Sequence, residues 1–209
     1  MPQTTPGTRP AATDAPPKIS YEDFLVQYNG VHAEWVDGGV ELAMPVSDSH
    51  QRIGNFLSRL VAEYVEVYEL GRVFQLEFQM KLAKERSGRE PDVFFVPNSK
   101  LMNTQSSYFD GPADLVIEIV STDSIQRDYE DKFKEYQSGG VLEYWLIDPL
   151  SQQVNFFQRD ADGVFQRSPS NTDGVYYSSA LPGFWVREEW FWQSPAPSMS
   201  AMRKEFGLP

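Results

Sequence analysis

The chain has 209 residues, 41% of them hydrophobic and 14% aromatic, a formal net charge of −12 and no cysteine. That length suits one α/β domain with a buried core, and the apolar content excludes a wholly disordered chain. The missing thiols exclude disulfides, thiolate zinc sites and a cysteine nucleophile. The negative charge argues against broad coating of nucleic acid, which draws on Lys and Arg, but is compatible with a local acidic site that a cation neutralises.

No stretch approaches the ~20 apolar residues of a membrane span, and no basic segment followed by an apolar one opens the chain, so a cytoplasmic protein without membrane association is expected. Pro2, Pro6, Pro10, Pro16 and Pro17 break helices and bury nothing, which predicts a disordered tail over 1–18. One domain is expected over 19–193 and a C-terminal tail over 194–209. Ser20 with Asp23 reads as an N-cap and acidic first turn of a short helix ending near Asn29-Gly30. Residues 32–36 and 40–44 then flank Asp37-Gly38-Gly39, whose glycines are predicted to turn a tight hairpin.

From Asp48 to Leu70, Ile53, Phe56, Leu57, Leu60, Val61, Tyr64, Val67 and Tyr68 recur at helical spacing, with Gly71 as the stop. Residues 72–83 alternate as one strand, 84–88 form a charged turn, and 91–96 return as a strand. After a loop to Pro112, residues 114–120 make a strand apolar on both faces except at Glu118. Ser124 caps a helix to about Gln137, Gly139-Gly140 ends it, and residues 142–147 form the next strand, so a right-handed parallel crossover is expected. The remainder alternates strands with turns at 148–149, 160–163 and 172–174. The aromatic run Phe184, Trp185, Trp190, Phe191 and Trp192 reads either as a subunit interface or as closure of the monomer's own β layer.

Asp92 opens an apolar strand, Glu118 interrupts an aliphatic one, and Lys132 lies on the helix that follows. Two carboxylates at matching ends of adjacent strands suit Mg²⁺ or Mn²⁺, which prefer hard oxygen ligands, while an ammonium steadies developing negative charge. Each residue also has a plain reading: Asp92 as a strand-end carboxylate, Glu118 as a glutamate reaching solvent, Lys132 on a solvated helix face paired with Asp128. An ionised Glu118 buried without a partner would cost several kcal/mol, on the order expected for an unpaired buried charge.

The motifs YEDFL (21–25), EWVDGG (34–39) followed by Met44-Pro45, Ser49-His50-Gln51, PDVFFV (91–96), PADLVIEIVS (112–121), Arg127-Asp128 with Lys132 and Tyr136, and GVLEYWLIDP (140–149) occur in this order over most of the chain. Together they resemble the Uma family of restriction endonuclease-like proteins, within the PD-(D/E)XK nuclease superfamily. The resemblance implies an α/β restriction-endonuclease-like core, with a mixed central sheet flanked by helices and preceded by an N-terminal helix and β-hairpin. It also implies an acidic cluster of Glu34, Asp92 and Glu118 with Lys132 as the basic member. The superfamily usually places its lysine two residues after the second acid, where this chain has Val120. In the Uma pattern it has moved to the following helix. Glu34 reads either as a third oxygen donor or as a ribbon-edge glutamate in solvent. His50 is either a phosphate or proton contact or a helix N-terminal residue, and Tyr136 either orients Lys132 or fills the core.

The activity implied is Mg²⁺- or Mn²⁺-dependent phosphodiester hydrolysis, with DNA as the expected substrate, RNA open as well, and a homodimer as the expected assembly. The alternative is a nucleic-acid-binding or protein-interaction module that keeps the fold and cuts nothing.

Overall fold

The structure, a computed structural model, describes residues 17–75 and 77–208. The tail expected over 1–18 falls outside the described residues except for its last two. Ser20 caps α1 (Tyr21–Gln27), its side chain accepting from the Asp23 backbone N–H at 3.0 Å. In the hairpin of β1 (Ala33–Val36) and β2 (Gly39–Leu42), Val36 pairs with Gly39. The two-residue turn is therefore Asp37 (φ 45°) and Gly38 (φ 87°), not the two glycines, and Gly39 already belongs to β2.

Ser47 caps α2 (Asp48–Val67), whose apolar stripe faces the main sheet. The helix ends before Gly71: Glu69 takes the left-handed conformation at φ 51°. Gly71 instead opens β3 (Gly71–Gln75), where a Cβ would lie 2.1 Å from the Val96 carbonyl oxygen. Its missing side chain serves close strand contact rather than helix termination.

The strand expected over 72–83 is two strands. The chain turns at Glu77 (φ 66°), and β4 (Gln79–Leu82) joins a different sheet from β3. The expected charged turn is shorter too, because Ser87 and Gly88 belong to the buried β5 (Ser87–Arg89), paired with β4. Next come β6 (Val93–Pro97), a 3-10 turn over Asn98–Asn103, β7 (Tyr108–Asp110) and β8 (Leu115–Ile119). A π-helical turn (Arg127–Asp131) leads into α3 (Lys132–Gly139), ended by Gly140 at φ 102°, and into β9 (Glu143–Asp148). The predicted crossover is present, β8 and β9 pairing in parallel. The chain finishes with β10 (Gln153–Arg159), β11 (Phe165–Arg167), β12 (Val175–Tyr177), β13 (Trp185–Arg187), α4 (Glu189–Trp192) and α5 (Met199–Phe206).

Among the described residues the strands form a six-stranded mixed sheet in the order β11-β10-β9-β8-β6-β3, a five-stranded sheet β2-β1-β5-β4-β7 and the ribbon β12-β13. Side chains alternate across a strand. Val93, Phe95, Ile117, Ile119, Trp145 and Ile147 therefore pack with α2 on one face of the main sheet. Phe94, Val96, Val116, Tyr144 and Leu146 pack on the other face with Tyr136 of α3 and with Met80 and Leu82 of the second sheet. Phe184, Trp190 and Phe191 join the α2-side core, so the C-terminal aromatics close the protein's own β layer. Residues 194–209, expected as a tail, include α5, which buries Met202 and stacks Phe206 on Phe184 at 5.4 Å between ring centroids.

Candidate active site

The alternation that builds the two cores also builds the site. Glu118 lies in β8 and Asp92 directly before β6, both at even positions, the parity that faces α3 in these strands, and β6 and β8 pair with Val93 opposite Ile117. One further step of that register sets Asp92 across from Glu118, and Asp92 Oδ2 accepts the Ile119 backbone N–H at 2.7 Å. Lys132 projects from α3 onto the same face. Its ammonium lies 2.9 Å from Glu118 Oε1, 3.1 Å from Glu34 Oε1 and 3.5 Å from Asp128 Oδ1. Lys132, Glu118 and Asp128 are each only 2–3% exposed. This overturns the solvated-helix reading of Lys132 and the solvent-reaching reading of Glu118.

Glu34 is buried rather than on a solvated ribbon edge, and both its oxygens are engaged. Oε2 accepts from Arg89 at 2.9 Å; Oε1 accepts the Glu90 backbone N–H at 3.0 Å and meets Lys132. That gives it the task of fixing Lys132. Tyr136 contacts the glutamate and not the lysine: its hydroxyl donates to Glu118 Oε1 at 2.6 Å. His50 is buried near the start of α2 with Nε2 3.3 Å from Asp92 Oδ2, so it braces an acid. Glu34, His50, Asp92, Glu118 and Lys132 all line one cavity of about 50 Å³; Tyr136 stands behind it.

Three carboxylates around one ammonium leave surplus negative charge. Burial, opposed by Lys132 and reinforced by Asp128 and Asp92, pushes the Glu118 carboxyl up to about 8. Burial acts on Glu34 in the same direction, but Lys132, Arg89 and Arg127 outweigh it and hold that carboxyl at about 2. Burial likewise raises Asp128 against the pull of Lys132. Burial disfavours the Lys132 ammonium, yet Glu118, Glu34 and Asp128 keep it charged well beyond its ordinary range. His50 is held above its ordinary value because the hydrogen bond and charge of Asp92 overcome burial.

The donor set fits a hard divalent cation held by two carboxylates. Among the described residues no hydrogen bond reaches Glu118 Oε2 or Asp92 Oδ1, while their partner oxygens are anchored by Tyr136 and Lys132 and by Ile119 and His50. Mg²⁺ commonly takes only one or two protein carboxylates and keeps several waters. A richer cage is not formed: among the described residues no group of three or more His, Cys, Asp or Glu side chains is arranged to hold a metal ion.

Several members of the site escape sequence reasoning. Arg89 is 1% exposed and ties Glu34 and Glu41 to Glu135, which it grips with two nitrogens at 2.6 and 2.8 Å. The short turn expected over 84–88 hid the strand that buries it. Asp128 was assigned only as a surface partner of Lys132. Its burial follows from the π-helical turn, and the Ser124 hydroxyl, expected to cap the helix, donates to Asp128 instead. Glu90, pushed up to about 7 chiefly by burial, and His32 also line the cavity, with Glu90 Oε2 3.1 Å from His32 Nε2.

A mixed sheet with an α-crossover, carrying acids on adjacent strands and a lysine on the crossover helix, defines a restriction-endonuclease-like α/β protein. The sequence model of the Uma2 family, described as "Putative restriction endonuclease", matches residues 20–189, and the chain belongs to that family. No curated protein matches. Among solved structures, one described as "a putative nuclease belonging to DUF820" from Anabaena variabilis superposes with a TM-score of 0.69 at 18% identity, over 83% of this chain and 97% of that one. At that identity the likeness speaks for the fold. Among the described residues no helix is long and apolar enough to cross a membrane.

Proposed function

We propose that this chain hydrolyses phosphodiester bonds, in DNA or in RNA, with Mg²⁺ or Mn²⁺ held by Asp92 and Glu118. The observation that carries the reading is Asp92, directly before β6, bonded to the Ile119 N–H next to Glu118 on the paired β8, with the Lys132 ammonium 2.9 Å from Glu118 in the same cavity. When bound, the cation would neutralise phosphate charge and acidify a water molecule. Lys132, fixed by Glu34 and Asp128, offers a positive charge to the oxygen that becomes negative as the phosphodiester is attacked. Tyr136 holds Glu118 Oε1 and leaves Oε2 unbonded among the described residues, and His50 does the same service for Asp92 by holding Oδ2. A cytoplasmic location and pairing as a homodimer belong to the same reading.

A second reading has its own support: a module that binds without cutting. Among the described residues no three acids are arranged to hold a metal ion, and Lys132 is already neutralised by three carboxylates. Crystals soaked in Mn²⁺ and measured at its absorption edge separate the two. An anomalous peak between Asp92 and Glu118, lost in Asp92→Asn together with Mn²⁺-dependent cleavage of DNA or RNA, is the expected result. A saturated lattice with an open site and no peak sinks the hydrolytic reading in favour of the second.

A further inference from the structure

The cavity holding Asp92 and Glu118 does not end at them. Its wall shares His50 and Asp92 with a larger cavity of about 340 Å³ lined by α2 residues and Gln75, which in turn shares Asn55 and Arg59 with a third toward residues 196–199. Gln51, Asn55 and Arg59 are exposed at four-residue intervals, spanning about 12 Å of α2 at the helical rise. This groove contrasts with the rest of an acidic chain: beyond Asp92 the 340 Å³ cavity has no carboxylate in its wall. Among the described residues no carboxylate lies within ion-pairing distance of Arg59, whereas Arg52 is committed to the Phe191 and Gln193 carbonyls.

The mouth of the acidic cavity has a different character on its other side. Leu42, Met44 and Val46 line it and are 60, 59 and 38% exposed. Apolar side chains on the acidic cavity, and an amide- and guanidinium-lined track on the cavity that shares His50 and Asp92 with it, match a strand whose bases and phosphates are both accessible. A duplex turns its charged backbone outward and would press phosphates against those apolar side chains. It is also stiff over about 150 base pairs, whereas Glu118 and Lys132 sit at the bottom of a narrow cavity.

We propose that the substrate is an unpaired nucleic-acid strand, its phosphates tracking Gln51, Asn55 and Arg59 along α2 and its bases resting on Leu42, Met44 and Val46. This deepens the hydrolytic reading of the pocket and rests on it for the word substrate, but the binding surface is testable alone. Apolar side chains of this kind take base faces, and polar tracks of this kind take the backbone.

The test is fluorescence anisotropy of a labelled oligodeoxynucleotide, alone and annealed to its complement, in Ca²⁺ with wild-type protein, Arg59→Ala and Met44→Asp. Both altered residues are exposed, and circular dichroism checks that each variant folds. Single strand should bind about tenfold or more tighter than duplex. Arg59→Ala should lower the slope of log K against log salt by about 0.7, the value for one single-strand phosphate contact, and Met44→Asp should weaken single-strand binding at least about threefold. Equal or tighter duplex binding, indifference to both substitutions, or no binding of the single strand overturns the inference. Cleavage in Mn²⁺ is read separately. Single-strand binding with these dependences but no cleavage keeps the track and removes the hydrolytic reading, and cleavage of duplex without single-strand preference does the reverse.

Discussion

Replacing Lys132 by methionine keeps the side-chain length and removes the charge that three buried carboxylates share. The cost depends on pH in two steps, because two of those carboxyls sit on opposite sides of their ordinary value. Glu34 is depressed from 4.5 to about 2, which corresponds to about 3 kcal/mol of stability, fully present above pH 4.5 and lost as pH falls through 2. Lys132 is the largest favourable cause, ahead of Arg89 and Arg127, so its share is about 1–2 kcal/mol. Glu118 is raised to about 8, so its proton is retained on folding and stability declines as pH climbs from 4.5 to 8. Without the ammonium its carboxyl rises further, and the variant loses an additional ~1.4 kcal/mol per pH unit only above about pH 8. Urea unfolding followed by tryptophan fluorescence should show Lys132→Met about 2 kcal/mol less stable at pH 7 and about 4 kcal/mol less stable at pH 9.5. The double variant Lys132→Met/Glu118→Gln should lose the second step and, measured against Glu118→Gln alone, show the same deficit at both pH values. A deficit in Lys132→Met that stays flat from pH 7 to 9.5, or a variant more stable than wild type at pH 9.5, would refute this account of the cluster.

Other parts of the fold give simpler expectations. Glu143 is fully buried and accepts hydrogen bonds from Trp145, Tyr176, Ser178, Ser179 and the Ala180 backbone, so Glu143→Ala should cost about 3–5 kcal/mol and speed hydrogen exchange at residues 178–181. Gly71→Ala sets a methyl group against the Val96 carbonyl and should cost about 2 kcal/mol or more, read as a lowered Tm; an unchanged Tm would contradict the close contact. For α5, Met202→Ala should cost about 2 kcal/mol and Arg203→Ala less than about 0.5 kcal/mol, since the methionine is buried and the arginine's pair with Glu63 is half exposed; the reverse order in urea titrations would mean the ion pair docks the helix. Mn²⁺ uptake should release protons below pH 8, where Glu118 still carries one, and calorimetry in buffers of different ionisation enthalpy would show no such release if Glu118 were not a ligand.

Where one physical signal decides an element, it could be read from the residues: the Ser20 cap, the amphipathic period of α2, and the aliphatic β8 and β9 with an α-crossover between them. Glu118 stands out for the same reason, since a charge inside an apolar strand needs a partner, whereas Asp92 at a strand end and Lys132 on a helix beside Asp128 are singled out by the family resemblance rather than by their own setting. The misreadings came where tertiary contact overrides local preference. Gly71 looks like a helix stop, but its place is set by Val96 on the neighbouring strand. Residues 72–83 alternate without interruption, and nothing local says that the chain changes sheets at Glu77. Arg89 stands in a short polar segment whose burial depends on α1, where Tyr21 approaches Gly88 so closely that a Cβ there would lie 2.4 Å from the ring.

The acidic balance of the chain, which by itself opposes a polyanionic substrate, is better understood from how its cations are placed. Arg89 and Lys132, the buried ones, are held by Glu34, Glu118, Asp128 and Glu135, so they organise carboxylates rather than attract phosphate. What the cluster presents to the cavity is a residual negative charge that a proton on Glu118 relieves in the free protein and that a divalent cation would relieve in its place. Under the proposed function, attraction for a nucleic-acid backbone then has to come from that cation and from groups outside the cluster. Arg127 at the cavity wall qualifies, its contacts with Glu34 and Glu41 being no shorter than 3.8 Å, and Arg59 on α2 qualifies more fully, since no carboxylate among the described residues lies within ion-pairing distance of it. An acidic protein arranged in this way would favour its polyanion only where the cation is bound, which couples recognition to readiness for chemistry.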